Sequence, residues 1–450
     1  MTVILGAGLA GLSTSFHLQH QCRVFDKNKY AGGHIFSHEI NGFTWDEGPH
    51  VSFTKHQYVK DLFANSLDGD FLEYPVYPTN YYKGSWIPHP AQTNLYAVPE
   101  PTRSECLQSF LKSRSTDTPA SAVSNYKQWL TIAFGEKFTE TFPSAYTIKY
   151  WTVSPENLTT DWVGNRVFYP QVKDVEAGFQ SPLAESKHYI TSVRYPRKGG
   201  YNAFATKLRK EADIHLQKEV KSVDLLKKII HFTDGGTQSF TRLINTIPLP
   251  EFMKLISAPE DIMASAAKLS CSEVLLLNFE INHPAPIPNQ WMYVYDLDKF
   301  SCRINFTDLL SPFNGQPNKC GIQVEVYFSK YRPQTDSLDY IITKVKEELL
   351  EMGLVKSAGD FGDMNHNRIK FANVIFDHAR REHLNNILNY LSKFGLKREQ
   401  DDLEAMTNWE TKMSENIQLG ELVLAGRFGQ WNYYWTDDCV MRGKFIAEHL

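Results

Sequence analysis

A run of glycines near the start of the chain has the spacing of a diphosphate-binding turn. Gly6, Gly8 and Gly11 follow an apolar run at residues 3–5 and open a stretch with helical character. In this G-x-G-x-x-G pattern the first glycine permits a tight turn, the second lets the backbone approach a diphosphate, and the third lets helix and strand pack closely. The free N–H groups at the start of the helix then face the phosphates. A glycine-rich turn in some other α/β protein is the alternative interpretation.

An acidic residue stands where a dinucleotide needs one. Asp26 ends a second apolar run, 20 positions beyond Gly6, and a carboxylate there can hold ribose hydroxyls. Strand, turn, helix, second strand and acidic residue therefore follow in the order of a dinucleotide-binding unit. The sequence predicts an adenine dinucleotide site, although physics alone does not separate a flavin from a nicotinamide.

Composition narrows the class of protein. The 450 residues include 47 basic and 51 acidic side chains, a net charge of −4, with no basic stripe, so we expect neither nucleic acid nor an anionic membrane surface as a partner. The six scattered cysteines lack metal-ligand spacing and favour a reducing cytoplasm. No apolar run reaches the roughly 18 residues of a membrane span. We therefore expect a soluble cytoplasmic protein with several subdomains, which could form a homo-oligomer.

The elements that must position these residues alternate in type along the chain. A short strand ends near His50, a helix begins near Gln57, and a hairpin turns at Lys83 and Gly84. Helical periodicity then dominates at residues 103–113, 118–134 and 135–143, and again at 202–211, 338–352 and 438–449. Strand patterns occur at residues 214–216, 218–223, 228–232, 241–246, 273–280, 291–295, 302–307, 321–328 and 422–424.

These patterns predict an α/β protein, α+β overall, with a discontinuous Rossmann-type domain, an inserted small helical domain and an antiparallel β-sheet domain. We assign residues 1–78, 198–262 and 380–450 to the dinucleotide-binding domain. Residues 99–166 form the helical domain in this division. Residues 79–98, 167–197 and 263–379 form the sheet domain.

Several motifs together resemble UDP-galactopyranose mutase and its relatives, within the amine oxidase and protoporphyrinogen oxidase-like FAD superfamily. The resemblance spans almost the whole chain. Its most specific marks are Gly48-Pro49-His50-Val51, Lys83-Gly84-x-Trp86-Ile87-Pro88, Trp162-Val163-Gly164-Asn165-Arg166-Val167, Cys302-Arg303-Ile304-Asn305-Phe306 and Gly426-Arg427-Phe428-Gly429-x-Trp431-x-Tyr433.

The resemblance implies FAD as the cofactor, and the glycine pair at Gly32 and Gly33 is typical of chains that hold FAD permanently. It implies a reduced flavin whose N5 is the nucleophile at the anomeric carbon. The reaction would interconvert the pyranose and furanose forms of a nucleotide-diphosphate sugar for polysaccharide or glycan biosynthesis. NAD(P)H is a possible transient reductant.

The resemblance also implies roles for particular residues. His50 would lie against the flavin, and Arg166 and Arg303 would bind the substrate diphosphate from two sides as catalytic groups. The remaining substrate-binding residues would be Trp151, Tyr293 and Tyr433. The cofactor-binding residues would be Gly6, Gly8, Gly11, Asp26, Gly33, His50, Val220, Gly426 and Arg427.

Each arginine also has a plainer interpretation. A guanidinium can grip a phosphate through two parallel hydrogen bonds and can stabilise charge on a departing nucleotide. Arg166 could instead cap a helix in the 150s, and Arg303 could pair across its sheet. The chain departs from the family pattern where Trp435 stands in place of an acidic residue of bacterial members, and the region of residues 376–381 lacks the family's phosphate-binding tyrosine.

Other functions fit the glycine motif equally well. One is an FAD-dependent oxidoreductase of the amine oxidase or protoporphyrinogen oxidase type. Another is a flavin-binding relative without catalytic activity.

Overall fold

A five-stranded parallel sheet is built from strands at the beginning, in the middle and at the end of the chain. The computed structural model describes residues 1–115, 123–183 and 190–450. The first strand pairs in parallel with strands on both sides, and its residues 3–5 are fully buried. Apolar runs suit these positions because helices cover both faces of a parallel sheet. In spatial order the strands are Leu422–Leu424, Arg242–Asn245, Thr2–Leu5, Cys22–Phe25 and Asp213–His215.

A seven-stranded sheet forms the second large element. Neighbouring strands are antiparallel except for one parallel pair, Trp291–Val294 with Thr79–Tyr82. The strand Cys320–Phe328 lies inside this sheet and is buried at every position. In spatial order the strands are Phe361–Val374, Cys271–Ile281, Cys320–Phe328, Arg303–Phe306, Trp291–Val294, Thr79–Tyr82 and Ser85–Pro88.

Three small antiparallel sheets contain the remaining described strands. The strands Val220–Asp224, Ile229–Phe232 and Thr237–Ser239 form one of them. The other two sheets have two strands each: Ser37–Ile40 pairs with Phe43–Asp46, and Phe71–Pro75 pairs with Ser192–Pro196.

The helices cover the sheets and form a separate helical layer between residues 102 and 180. The α-helices are Leu9–His17, Gln57–Asn65, Thr102–Arg114, Tyr126–Phe134, Glu136–Thr141, Pro143–Tyr150, Val172–Gln180, Thr206–Arg209, Leu249–Leu255, Glu260–Lys268, Thr307–Leu310, Leu338–Glu351, Arg380–Ser392, Trp409–Lys412, Gly426–Gly429 and Thr436–Glu448. Within the described ranges, no helix has both the length and the apolar character needed to cross a bilayer.

Most predicted elements occur where the sequence placed them, with local differences. Of the helix predicted at 118–134, residues 118–122 lie outside the described residues, and the helix begins at Tyr126 because Asn125 Oδ1 accepts the backbone N–H of Gln128 at 3.0 Å. The predicted helix 202–211 is a 3₁₀ turn, Tyr201–Ala205, followed by one short α-helix. The last helix begins at Thr436, where the Asp438 carboxylate accepts the backbone N–H of Trp435 at 2.7 Å.

Candidate cofactor and substrate site

The glycine-rich turn has the geometry that a diphosphate requires. Gly6 adopts a φ of +101°, which a residue with a side chain rarely adopts. A Cβ on Gly11 would overlap the carbonyl oxygen of Gly6, so helix and strand pack in direct backbone contact. Gly8 precedes the helix Leu9–His17, which has no side-chain cap and no acidic residue in its first turn. The N–H groups at this helix start are therefore open to an anionic ligand.

A second glycine turn lies directly against the first. The backbone N–H of Gly32 donates to Ala7 O at 2.8 Å, and a Cβ on Gly33 would lie only 2.9 Å from Gly8 Cα. Side chains are therefore absent from both turns where they meet. This cradle fits a dinucleotide diphosphate, because its hydrogen-bond donors are backbone N–H groups that no side chain covers.

The Asp26 carboxylate stabilises the same turn through hydrogen bonds. Its Oδ2 accepts the N–H of Ala7 at 2.8 Å and its Oδ1 accepts the N–H of Asn28 at 2.8 Å. The backbone N–H of Lys218 donates to Asp26 O at 2.8 Å. Val220, two positions further on, begins the strand Val220–Asp224.

The end of the chain returns to this site. Gly426 has a φ of +80°, and a Cβ there would lie 2.9 Å from Ala10 Cβ. Arg427 donates from Nε to Tyr434 O at 2.7 Å and from Nη1 to Ala372 O at 3.0 Å. These bonds fix its guanidinium on the wall of the cavity described next.

A cavity of about 420 Å³ extends from the turn at Gly48 and His50 between the seven-stranded sheet and the helical layer. The structure brings all of the predicted substrate-binding and catalytic residues to its wall. These are His50, Trp151, Arg166, Tyr293, Arg303 and Tyr433, together with Arg427. The other predicted cofactor residues are not among the residues of this wall.

His50 is held in one neutral tautomer. Its Nδ1 lies 2.7 Å from Gly48 O, so Nδ1 carries the hydrogen and Nε2 is an acceptor. Burial lowers the pKa of His50 to about 3, and the positive charges of Arg427 and Arg303 act in the same direction. His50 is therefore uncharged at neutral pH.

Arg303 lines the cavity and also pairs across its sheet. Its Nε and Nη2 donate to the two carboxylate oxygens of Glu325 at 2.6 and 2.7 Å. The carboxylate is 2% exposed, and its charge outweighs the effect of burial and raises the pKa of Arg303 well above its usual range. The plain interpretation of Arg303, a pair across its sheet, is therefore observed, and its Nη1 has no described hydrogen bond.

Arg166 is packed on aromatic rings. It lies in the 3₁₀ turn Gly164–Arg166, where it does not cap a helix. Its guanidinium lies 3.7 Å from the ring centre of Trp435 and 4.6 Å from that of Tyr433. Nη2 forms an ion pair with Asp438 Oδ2 at 3.2 Å, whereas Nη1 is buried and has no hydrogen-bond partner among the described atoms. A buried donor of this kind is costly unless a ligand satisfies it.

Aromatic side chains form the helical side of the cavity. Trp151 packs on Trp162 and on Tyr433, with ring centres 4.9 and 5.5 Å apart. Tyr146 and Tyr150 stack in parallel at 5.5 Å. Flat faces of this kind suit a nucleobase.

Sequence reasoning missed several residues of the site. Glu325, Asp438 and Trp435 position the two arginines, and Tyr146 lines the cavity. Alternation along the strand Cys320–Phe328 could have indicated Glu325, because residues two apart share a face of a sheet. No sequence signal pairs Asp438 with Arg166, which lies 272 positions away.

Comparisons with known proteins agree with this fold. Residues 4–66 match the model of the NAD(P)-binding Rossmann-like domain. The structure of reduced UDP-galactopyranose mutase superposes with a TM-score of 0.88 at 22% identity, covering 100% of this chain and 93% of that one. A protein from Exiguobacterium sp. 255-15 assigned as a protoporphyrinogen oxidase superposes with a TM-score of 0.72 at 13% identity, covering 99% and 97%.

Two curated relatives match short segments of the chain, and the chain covers 13% or less of either relative's length. A 1-hydroxycarotenoid 3,4-desaturase of Flavobacterium sp. (strain P99-3) is 39% identical over 63 residues, 13% of this chain and 13% of the relative. A zeta-carotene-forming phytoene desaturase of Myxococcus xanthus is 40% identical over 52 residues, 11% of this chain and 10% of the relative. The structure comparisons confirm the fold class and the resemblance predicted from sequence. The chain has the fold of UDP-galactopyranose mutase, and solved oxidase structures share this fold.

Proposed function

We propose that this protein is an FAD-dependent mutase that interconverts the pyranose and furanose forms of a nucleotide-diphosphate sugar. The observation that carries the proposal is that Arg166 and Arg303, from different elements, border one cavity. Arg166 and Arg303 each retain a guanidinium nitrogen without a described hydrogen bond. Two such donors match the two phosphates of a nucleotide sugar.

The residues around the glycine turns fit the cofactor. The helix start at Gly8, the turn at Gly33 and the carboxylate of Asp26 would hold the dinucleotide, with Val220 and Gly426 beside them. Arg427 would contact the part of the cofactor that reaches the cavity. When bound and reduced, FAD supplies the nucleophile that this chemistry needs at the anomeric carbon.

The chain's own groups would stabilise the departing nucleoside diphosphate. Negative charge grows on the diphosphate as the glycosidic bond lengthens, and pre-positioned guanidinium groups stabilise this charge most effectively in an enclosed site. Glu325 and Asp438 already fix the directions of Arg303 and Arg166. His50 would remain neutral and offer Nε2 as an acceptor.

The alternative, an FAD-dependent oxidase acting on an amine, has less support from the cavity. Two carboxylates line it within the described residues, Glu47 and Glu325. Glu325 is paired with Arg303, and Glu47 accepts from Tyr30 at 2.8 Å and lies 3.1 Å from His38 Nε2. Neither carboxylate is available to a cationic amine, so the site suits an anionic substrate better.

An anaerobic assay tests the proposal. The flavin-loaded protein is reduced with dithionite and mixed with UDP-galactopyranose or UDP-galactofuranose, and the products are separated by chromatography. Interconversion in the reduced protein alone supports the mutase. If a panel of nucleotide sugars gives no interconversion while an amine reduces the oxidised flavin, the oxidase replaces it.

Further parts of the proposal rest on the sequence. They are the division into the three domains given above, the cytoplasmic location, a role in polysaccharide biosynthesis, NAD(P)H as transient reductant, and a homo-oligomer. Flavin reduction by NADH or NADPH under nitrogen and light scattering of the purified protein test the last two.

A further inference from the structure

A buried arginine lies behind the wall of the cavity. Arg380 begins the helix Arg380–Ser392, is 2% exposed and is not among the residues that line the cavity. Its guanidinium lies 4.6 Å from the ring centre of Phe376. Burial lowers the pKa of Arg380 to about 10, so the side chain still carries its positive charge at neutral pH. A charge buried in this way is costly unless hydrogen bonds compensate it.

The described hydrogen bonds of this guanidinium run to backbone carbonyls of two chain segments. Nε and Nη2 donate to Trp431 O at 3.0 and 2.8 Å. Nη1 donates to Leu403 O at 3.1 Å, and Nη2 donates to Glu404 O at 3.2 Å. We call residues 403–406 and 431–435 the two supporting segments. The planar fork of a guanidinium can hold both segments at once, whereas the compact ammonium of a lysine cannot.

The second supporting segment has a backbone conformation that these bonds help to maintain. Trp431 is fully buried and has a φ of +54°, in the left-handed region that residues with a side chain rarely adopt. Such a conformation persists where the surrounding structure holds it. The segments are also joined directly, because the backbone N–H of Tyr433 donates to Ala405 O at 3.0 Å. Arg380 therefore fixes both segments as one unit.

Both supporting segments hold Arg166. In the first segment, Met406 Sδ accepts Arg166 Nε at 2.9 Å. A Cβ on Gly164, in the same turn as Arg166, would overlap Met406 Cε, so this side chain also packs directly on the turn. In the second segment, the ring centres of Tyr433 and Trp435 lie 4.6 and 3.7 Å from the Arg166 guanidinium. The position of Arg166 therefore depends on both segments.

We propose that Arg380 is a positioning residue, which orients Arg166 towards the substrate diphosphate through the two supporting segments. The inference rests on the proposed function for the ligand of Arg166. A guanidinium stabilises a phosphate best when its direction is set before the ligand arrives. Arg380 is set back from the cavity wall and acts on the ligand only through Arg166.

A double-mutant cycle between Arg380 and Arg166 tests the inference. Titration calorimetry measures UDP affinity for the flavin-loaded wild type, Arg380→Lys, Arg166→Gln and the double variant. We expect Arg380→Lys to weaken UDP binding about tenfold in the wild-type background, a coupling typical of residues in one network. In the Arg166→Gln background the same change should weaken binding by no more than about twofold, because the residue through which Arg380 acts is absent. Provided that Arg166→Gln itself weakens UDP binding, equal losses in both backgrounds or an unchanged affinity of Arg380→Lys overturn the inference.

A second variant and a matched control complete the cycle. If Arg380→Lys does not fold, Arg380→Gln replaces it, because the amide has no charge to bury and still cannot bond both segments. Arg114 is the control, since its Nη2 donates to Ala133 O and Pro170 O at 2.9 and 3.0 Å and none of these three residues lines the cavity. Arg114→Lys should leave UDP affinity unchanged. A loss equal to that of Arg380→Lys would overturn the inference, because any loosened backbone would then weaken binding.

A measurement on Arg166 itself separates this inference from the proposed function. The Arg166 Nε–H resonance is the one that Arg166→Gln removes, and nitrogen-15 NMR follows its hydrogen exchange without ligand. Exchange should be about tenfold faster in Arg380→Lys or Arg380→Gln, because Met406 no longer holds this N–H, and unchanged in Arg114→Lys. Unchanged exchange in the Arg380 variants overturns the inference. If Arg166→Gln binds UDP as tightly as wild type, the diphosphate role in the proposed function fails, and faster exchange still supports the positioning of Arg166 by Arg380.

Discussion

Arg303 and Glu325 lie opposite each other on neighbouring strands and share two charge-assisted hydrogen bonds of 2.6 and 2.7 Å on the cavity wall. Because the carboxylate is almost completely buried, the pair costs desolvation on both sides. Such a pair contributes more to the direction of the guanidinium than to the stability of the fold. The bond geometry leaves Nη1 as the nitrogen available to a ligand.

Replacing one partner of this pair should therefore be costly. We expect Glu325→Gln to lower the free energy of unfolding by about 3 kcal/mol, because it leaves a buried guanidinium without its counter-charge. Urea denaturation measures this loss. The double variant Arg303→Met with Glu325→Leu should recover most of the stability, since apolar side chains of similar volume replace a buried ion pair well.

The same double variant separates folding from function. Without the guanidinium, transition-state stabilisation should fall by about 3 kcal/mol, roughly a hundredfold in kcat/KM. The flavin spectrum serves as the control for an intact cofactor site. A folded double variant with wild-type kcat/KM would show that Arg303 does not act on the diphosphate.

Trp435 should contribute to nucleotide binding through Arg166. The ring lies 3.7 Å from the guanidinium, and a cation–π contact in an enclosed site is worth about 1–2 kcal/mol. We expect Trp435→Leu to weaken UDP binding about tenfold, as measured by calorimetry. Phe179→Leu removes a comparable contact from Arg103, at 4.3 Å, on residues that do not line the cavity, and should leave UDP affinity unchanged.

His50 should not titrate in the physiological range. Burial lowers the pKa of His50 to about 3, so the ring stays neutral from pH 8 down to about pH 4. Nitrogen-15 NMR of labelled histidine should show a single Nδ1-protonated tautomer for the resonance that His50→Gln removes. In activity assays, wild type and His50→Gln should have kcat/KM profiles of the same shape between pH 5 and 8. A limb near pH 6.5 that disappears in the variant would contradict the neutral assignment.

Local signals predicted the cofactor side of the molecule well. The turn at Gly6 and Gly8 and the strand Cys22–Phe25, directly before Asp26, follow from spacing and periodicity within a few tens of residues. Periodicity also placed the strands that carry Tyr293 and Arg303. The resemblance then directed attention to residues that the fold does bring to one cavity.

Other features depend on contacts that no local pattern records. The longest strand, Phe361–Val374, was not predicted, because it lies at the edge of its sheet and carries polar residues such as Asn365 and Arg368. The helices Leu249–Leu255, Glu260–Lys268 and Arg380–Ser392 were also missed. Partners of the site arginines come from distant positions, and only the folded chain shows that Asp438 faces Arg166.

A buried ion cluster near Gly426 should make the free energy of unfolding depend on pH in acid. Glu399 accepts two hydrogen bonds from Arg442, at 2.7 and 2.6 Å, and lies 2.8 Å from Lys412 Nζ. Arg442 also donates to Leu424 O at 2.8 Å, two positions before Gly426. Burial opposes ionisation of Glu399, but the charges of Arg442 and Lys412 outweigh it and lower its pKa to about 2.

The sign of the pH effect follows from this lowered pKa. Stability from Glu399 is complete above its ordinary pKa of 4.5 and is lost as pH falls from there towards 2. The whole contribution is about 3 kcal/mol. Urea denaturation at pH 7 and at pH 3 should therefore show a large loss in wild type and a smaller one in Glu399→Gln. Glu404→Gln, which removes an exposed partner of Arg381, is the matched control and should behave as wild type. Equal pH dependence in all three proteins would mean that Glu399 does not contribute this pH-dependent stability.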